Sequence, residues 1–346
     1  MHRGKVFLGA LLVFAVSVGF ASAAPKNNYQ ATILVSNEAD EAPVVDPLLV
    51  NAWGIAATDS SPWWVSNNGT GTSTIYTGAG VKRPLEVMVP GAPTGMVSSS
   101  SSQFLLSDGA PAVFMWASED GTISGWNGGL TPITQAVVVF PTSGVGDPNS
   151  NYKGLAIHGD TLYTTDFGEC QVETIDGTFT EFDSAGGFQD STIPAGYCPF
   201  GIQAIGDSIF VTYALKSGAD DVAGQGHGFV REFDTDGNLV AAVADRGQLN
   251  SPWGMAQAAS DFGRFSGCLL VGNFGDGRIN AFCKDEEGEW GYGGRLRSGK
   301  RDLVVDGLWG IGFGNGASSG PTNTLYFAAG PDDEQNGYFG KIEVAQ

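Results

Sequence analysis

Three short apolar segments, well separated along the chain, each end in an oxygen-bearing side chain. These end residues are Asn67, Asp166 and Asn273. Amide and carboxylate oxygens converging from several parts of a chain are the ligands that Ca²⁺ requires. If the fold brings the three segments around one axis, they predict a calcium site, and the sequence indicates no other cofactor.

A second set of residues directly precedes a recurring glycine. These residues are Trp53, Lys153, Phe200, Trp253 and Trp309. Such a set predicts either an aromatic pocket for a small molecule, glycan or peptide, or bulky side chains that pack between neighbouring elements. Both interpretations stay open. Lys153 is the one cation in the set; it either binds a ligand carboxylate or pairs with a neighbouring acid such as Asp166, and we favour the pairing.

The four cysteines predict two disulfides rather than a metal or redox site, because no pair has the Cys-x-x-Cys spacing. The stretch from Cys268 to Cys283 is a hairpin about Gly275-Asp276, which places its two cysteines opposite each other. Cys170 and Cys198 then form the other pair.

The elements that position these residues follow from an internal repeat. A short phrase occurs six times, as in Asn51-Ala-Trp-Gly-Ile, Pro199-Phe-Gly-Ile and Pro252-Trp-Gly-Met. Successive copies lie roughly 40 to 60 residues apart, the length of a propeller blade. Each copy is followed by further apolar strands separated by Asp-Gly turns. We therefore predict an all-β, six-bladed β-propeller.

The two ends of the chain predict how the ring closes. Residues 29–36 form an apolar strand before the first phrase, and the sixth blade has only three strands before the chain ends. The N-terminal strand is expected to complete the last blade, which leaves no exposed edge. Residues 24–346 would then form a single domain.

Residues 1–23 have the pattern of a signal peptide. Arg3 and Lys5 precede an apolar run, and Ala21-Ser-Ala23 supplies a cleavage site. We expect a secreted, extracellular or periplasmic protein with no transmembrane segment in the mature chain. We also expect a monomer.

Composition limits the classes of partner. The formal net charge is −20, and 42% of the residues are hydrophobic. An acidic surface repels nucleic acid, whose binding depends on cationic side chains. Further acids, Glu119, Asp120, Asp332, Asp333 and Glu334, are expected in loops at the same mouth of the propeller.

The repeat phrases, together with the stretches Ser118–Trp126 and Leu325-Tyr-Phe-Ala-Ala-Gly-Pro, resemble an uncharacterised family of exported propellers related to NHL repeats. Some members of that family end in a PEP-CTERM sorting tail; this sequence ends in Glu343-Val-Ala-Gln, so surface sorting is not expected. The chain is also similar to six-bladed calcium hydrolases of the lactonase type. It departs from them at Pro252-Trp-Gly254, where those enzymes have a ligand asparagine.

The sequence therefore predicts a binding or scaffold module with an aromatic and acidic channel mouth. The alternative is a calcium-dependent hydrolase of the lactonase or esterase kind. Whether the chain is an enzyme stays open, and so does its ligand.

Overall fold

The computed structural model describes residues 1, 2, 4 and 26–345, so most of the predicted signal peptide lies outside the described residues. The described part contains two strands, β1 (Tyr29–Ser36) and β2 (Val44–Val45), ahead of the first repeat phrase. From the innermost strand outward, blade 1 contains β3 (Ala52–Ala56), β4 (Trp63–Asn67), β5 (Thr72–Tyr76) and β6 (Val87–Met88). Blade 2 contains β7 (Pro93–Ser98), β8 (Phe114–Ser118), β9 (Thr122–Trp126) and β10 (Val137–Phe140). Blade 3 contains β11 (Tyr152–His158), β12 (Thr161–Asp166), β13 (Gln171–Asp176) and β14 (Glu181–Phe182).

The second half of the chain continues the pattern. Blade 4 contains β15 (Tyr197–Ile205), β16 (Ser208–Ser217), β18 (Gly228–Asp234) and β19 (Leu239–Asp245), and the short strand β17 (Asp220–Asp221) pairs with β16. Blade 5 contains β20 (Pro252–Gln257), β21 (Leu269–Asn273), β22 (Ile279–Lys284) and β23 (Trp290–Arg295). Blade 6 contains β26 (Leu308–Phe313), β27 (Leu325–Ala329) and β28 (Tyr338–Val344). A small hairpin, β24 (Arg297–Ser298) and β25 (Arg301–Asp302), separates blades 5 and 6. The prediction of a six-bladed propeller is confirmed.

Strand β1 belongs to blade 6. It pairs antiparallel with β28 from Tyr29 opposite Val344 to Ser36 opposite Tyr338, and β2 pairs with its far side. The innermost strands β3, β7, β11, β15, β20 and β26 contact one another in this order, and β26 contacts β3. They surround the central channel.

The repeat glycines lie where neighbouring inner strands approach each other most closely. A Cβ atom on Gly201 would lie 2.1 Å from the carbonyl oxygen of Trp253, and one on Gly254 would lie 2.3 Å from that of Trp309. The other four repeat glycines face the next blade in the same way. Any side chain at these positions would push the inner strands apart, which explains the repeat physically.

Each copy of the phrase also forms a β-bulge. In blade 1 the register shifts between Ala52 and Ile55, and the other five inner strands shift at the equivalent place. A bulge adds a residue to one strand and re-aims its side chain. It directs the residue before the glycine into the channel.

The two predicted disulfides are present. Cys268 and Cys283 link β21 to β22, and Cys170 and Cys198 link the β12–β13 turn to the start of blade 4. None of the described helices has the length and apolar character needed to span a membrane.

Candidate functional site

The aromatic residues before the repeat glycines meet in one cluster inside the channel. The rings of Trp53 and Trp309 stack with their centroids 3.7 Å apart, and Phe274 stacks on the other face of Trp309 at 3.8 Å. Trp253 packs edge-on against both tryptophans, and Phe200 joins the cluster. All but Phe274 are at most 9% exposed. The side chains therefore fill the channel instead of lining the open pocket that one interpretation of the sequence predicts.

Hydrogen bonds orient this aromatic plug, which we define as Trp53, Phe200, Trp253, Phe274 and Trp309. The indole N–H of Trp309 donates to Asn51 Oδ1 at 3.0 Å, and that of Trp253 donates to the carbonyl oxygen of Lys153 at 3.1 Å. The indole N–H of Trp53 is buried and has no partner among the described residues. The ammonium group of Lys153 lies 5.3 Å from the ring centroid of Trp53, within the range of a cation–π contact.

Polar and charged groups from several blades lie around Lys153. Its ammonium group pairs with Glu119 of blade 2 and lies 4.0 Å from Asp220 of blade 4. The lysine side chain is 4% exposed, whereas that of Glu119 is 31% exposed and that of Asp220 is largely exposed. Lys153 thus pairs with an acid, as expected, but its partner is Glu119 and not Asp166, because the bulge before Gly154 turns the lysine toward the channel.

An amide relay connects Glu119 to the plug. Asn68 Nδ2 donates to Glu119 Oε2 at 3.0 Å, and Asn51 Nδ2 donates to Asn68 Oδ1 at 3.2 Å. Asn51 in turn accepts the hydrogen bond from Trp309. The half-buried carboxylate of Glu119 is therefore linked to the buried indole of Trp309 through two amide side chains.

Two further carboxylates complete what we call the channel mouth: Asn51, Asn68, Glu119, Lys153, Asp220, Asp221 and Glu334. Burial raises the pKa of Glu334; the Lys153 ammonium opposes this effect, and the carboxylates of Glu119 and Asp221 add to it. Burial likewise raises the pKa of Asp221, again against the influence of Lys153. Four carboxylates thus face one ammonium group, and the mouth carries excess negative charge.

The turn that carries Glu334 has an unusual backbone. Asp332, Asp333 and Glu334 have φ values of 56°, 52° and 65° in succession. Non-glycine residues rarely adopt this left-handed conformation, and three in a row cost free energy that the surroundings must offset. The turn places the Glu334 carboxyl within electrostatic range of Lys153.

The residues predicted to bind calcium occupy equivalent places in blades 1, 3 and 5, each at the end of a second strand. Asn67 donates to the hydroxyls of Thr72 and Thr74 at 3.0 Å, within blade 1. Asn273 donates to the carbonyl oxygen of Gln248 and to Asp276. Asp166 accepts backbone N–H groups of its own blade. All three side chains are buried, and no hydrogen bond connects them to one another.

The opposite end of the channel is apolar and open. A cavity of about 320 Å³ lies where the six inner strands end, and residues such as Ile55, Met96, Ile157, Met255 and Ile311 line it. Ser98, Gln203 and Gln257 are the polar residues that line it. The aromatic plug separates this cavity from the channel mouth.

Comparison with known proteins places the chain among viral relatives. It is 30% identical over 351 residues to the uncharacterized protein R648 of Acanthamoeba polyphaga mimivirus, a match that covers 97% of this chain and 85% of that protein. The chain belongs to the R648 family. The uncharacterized protein L690 of the same virus is 31% identical over 335 residues, covering 91% of this chain and 85% of L690. No family model matches the chain.

Solved structures share the fold of this R648-family chain. The virginiamycin B lyase of Staphylococcus aureus, solved with quinupristin, has a TM-score of 0.52 at 13% identity and covers 92% of this chain and 99% of the lyase. The aldose sugar dehydrogenase of Escherichia coli has a TM-score of 0.53 at 14% identity, covering 92% of this chain and 100% of that enzyme. At such identities the likeness is one of fold alone.

Part of the channel mouth of this R648-family member was not predicted from its sequence. Asp220 and Asp221 lie in the glycine-rich insertion between β16 and β18. The length of this insertion does not predict which part of the propeller it packs against. Glu334 was expected at the mouth among other loop acids, but nothing in its spacing distinguished it from Asp332 and Asp333. Asn51 belongs to the first repeat phrase, and its position directly before an inner strand is the signal that could have identified it.

Proposed function

We propose that the protein is a binding module that receives a positively charged group of its ligand at the channel mouth. The observation that carries this proposal is the arrangement of Glu119, Asp220, Asp221 and Glu334, from three different blades, around the single ammonium group of Lys153. An excess of carboxylates attracts cations, and partial burial strengthens that attraction relative to open solvent.

The ligand class follows from the same groups. A primary amine or guanidinium, as on a basic peptide side chain, has several N–H donors to share among carboxylates on different blades. The closed aromatic plug leaves no room for a flat ring to enter the channel from this side. A peptide with exposed lysine or arginine therefore fits the mouth better than a neutral sugar does.

The alternative function is a calcium-dependent hydrolase at the channel, and the structure gives it less support. Its three expected ligands, Asn67, Asp166 and Asn273, are each hydrogen bonded within or beside their own blade. These bonds use the amide N–H groups of the two asparagines and Oδ1 of Asp166, whereas Asp166 Oδ2 and Asn273 Oδ1 are buried without a hydrogen-bond partner among the described residues. No hydrogen bond connects the three side chains to one another. We therefore favour the binding module.

We also propose that the protein is exported. Two disulfides tie its blades, and such bonds persist in oxidising compartments. Expression of the full chain in a secreting host would test this proposal: mass spectrometry of the secreted product should show an N-terminus at Ala24. Retention of the intact chain in the cell would contradict it.

The binding proposal can be tested by calorimetry with a tetralysine peptide and its fully acetylated form. We expect binding of the cationic peptide, none of the acetylated one, and a loss of affinity with added salt. The double variant Glu119→Gln/Glu334→Gln should bind at least about tenfold more weakly, because two contacts to a charged donor are removed.

A matched control separates the mouth from the generally acidic surface. Glu286 and Glu287 are exposed in a turn of blade 5, far along the chain from the mouth residues. The double variant Glu286→Gln/Glu287→Gln loses the same charge and should bind tetralysine as the wild type does. Equal weakening in both double variants would show that the peptide binds by net charge alone and would overturn the proposal.

A further inference from the structure

The β12–β13 hairpin of blade 3 gathers three carboxylates by itself. Asp166 ends β12, Glu169 lies in the turn and Glu173 lies on β13; one carboxylate oxygen of each lies within 4.8 Å of the others. Ca²⁺ binds oxygen at about 2.4 Å, so two ligands on opposite sides of the ion are about 4.8 Å apart. The spread of these oxygens therefore suits one shared cation.

Asp166 presents an unused oxygen to this cluster. Its side chain is fully buried, and its Oδ1 atom accepts the backbone N–H groups of Asn151, Gly168 and Glu169 at 2.9, 2.8 and 3.1 Å. Its Oδ2 atom is buried and has no hydrogen-bond partner among the described residues. Native proteins rarely leave a buried carboxylate oxygen unpaired, and an ion between the three acids would supply the missing partner.

The surrounding side chains do not neutralise the negative charge of the three carboxylates. Within residues 26–345, no lysine or arginine forms an ion pair with any of the three acids; the nearby Lys216 donates to the carbonyl oxygen of Gly168 instead. Tyr152 donates its hydroxyl to Glu173 Oε2 at 2.6 Å.

The hairpin is also held in place before any ion binds. The three N–H groups on Asp166 Oδ1 fix the turn, and the disulfide from Cys170 to Cys198 ties the same turn to blade 4. Gln171 donates its amide to Glu169 and Glu173 at 3.2 and 3.4 Å. A preorganised set of ligands loses little conformational freedom on binding.

We propose that Asp166, Glu169 and Glu173 bind one Ca²⁺ ion. The set contains only carboxylate oxygen ligands. Hard cations such as Ca²⁺ prefer these ligands, whereas zinc and copper prefer imidazole and thiolate ligands. Glu169 is exposed, so water can complete the coordination shell, as the six to eight ligands of Ca²⁺ require. This site uses the side chains of a single hairpin, and it shares no residue with the channel mouth.

The test is a calcium titration of the full protein after treatment with EDTA and dialysis. Calorimetry should show one site with a Kd of roughly 10⁻⁴ to 10⁻³ M, the range of extracellular modules. The midpoint of thermal unfolding should rise with calcium concentration, because the ion binds the folded state. Terbium(III) bound in place of calcium should luminesce on excitation of Tyr152, and Tyr152→Phe should reduce that signal.

Calcium binding by single glutamate-to-glutamine variants shows where the ion binds. Glu169→Gln changes an exposed turn residue, so it should fold normally and weaken calcium binding about tenfold or more; Glu173→Gln should weaken it further. Glu286→Gln, a matched change in blade 5, and Glu334→Gln, at the channel mouth, should bind calcium as the wild type does. The proposal is overturned if the wild type shows no calcium-dependent heat or unfolding shift. It is also overturned if Glu169→Gln binds normally, or if Glu334→Gln alone abolishes binding.

Discussion

The buried ammonium group of Lys153 pairs with the carboxylate of Glu119 across the junction between blades 3 and 2. The same ammonium group lies over the ring of Trp53 from blade 1. One side chain thus joins three blades at the mouth of the channel. Its role can be measured through the stability of the ring.

Replacing Lys153 should destabilise the fold. Lys153→Met keeps most of the side-chain volume but leaves Glu119, Asp221 and Glu334 without a neutralising charge. Breaking a buried ion pair costs about 3–5 kcal/mol, and the partial exposure of Glu119 lowers our expectation to about 2 kcal/mol. Urea unfolding would measure the loss. Lys300→Met, at an exposed turn, should change stability little, and equal effects in both variants would contradict this role.

Trp309 is expected to contribute strongly to stability, because it stacks between Trp53 and Phe274. Trp309→Ala should cost about 3–5 kcal/mol, the range for buried tryptophan or phenylalanine replaced by alanine. Trp309→Phe should cost less, since it keeps a stacked ring but loses the hydrogen bond to Asn51. Near-ultraviolet circular dichroism should lose the signal of the coupled indoles in both variants. Unchanged stability in the alanine variant would show that the plug is not a packed core.

The repeat glycines should not tolerate a side chain. A Cβ at position 201 would lie 2.1 Å from a backbone oxygen, which no side-chain rotation can relieve. Gly201→Ala should therefore destabilise the protein by about 3 kcal/mol, the upper part of the range for overpacking. Gly128→Ala is the control, because a Cβ there meets no atom within 4 Å. Thermal unfolding of the two variants would compare them directly.

Glu334 should make stability depend on pH. Its pKa is raised in the folded state, so the folded protein favours the neutral carboxyl. The resulting stabilisation is fully present below the ordinary glutamate pKa of about 4.3 and is lost as pH rises through the higher folded value. Glu334→Gln should therefore gain stability relative to the wild type as pH rises from about 4 to about 8.

Urea unfolding of both proteins across that pH range would measure the gain. Glu286→Gln, an exposed glutamate in blade 5, should show a difference from the wild type that does not vary with pH. If the stability difference between Glu334→Gln and the wild type also stayed constant with pH, the Glu334 carboxyl would titrate in the folded protein as it does in the unfolded chain.

Several features of the site could be predicted from the sequence because they repeat. Trp53, Trp253 and Trp309 occupy the same place in three copies of the phrase, so all three are expected at the channel for the same geometric reason. The pairing of Cys268 with Cys283 followed from the local geometry of a hairpin. Such inferences need only near neighbours along the chain and the spacing between copies.

Other features depended on distances across the ring. Whether Trp309 lines a pocket or fills it depends on how closely the inner strands approach, and the contact of Gly254 with the next blade sets that distance. The partner of Lys153 depended on the direction in which a bulge turns one side chain. The burial of Glu334 depended on a left-handed turn that no residue type in it signals.

The number of blades, the two disulfides and the place of the three tryptophans at the channel could be predicted from the sequence, because glycine, hydrophobic and cysteine patterns act through short-range geometry. The closing of the channel by aromatic side chains, and the grouping of Glu119, Asp221 and Glu334 around Lys153, depend on the folded ring. These residues come from blades 2, 4, 6 and 3, separated by long stretches of chain. Their contacts arise when the ring closes, since closure fixes the radius at which side chains from opposite blades meet.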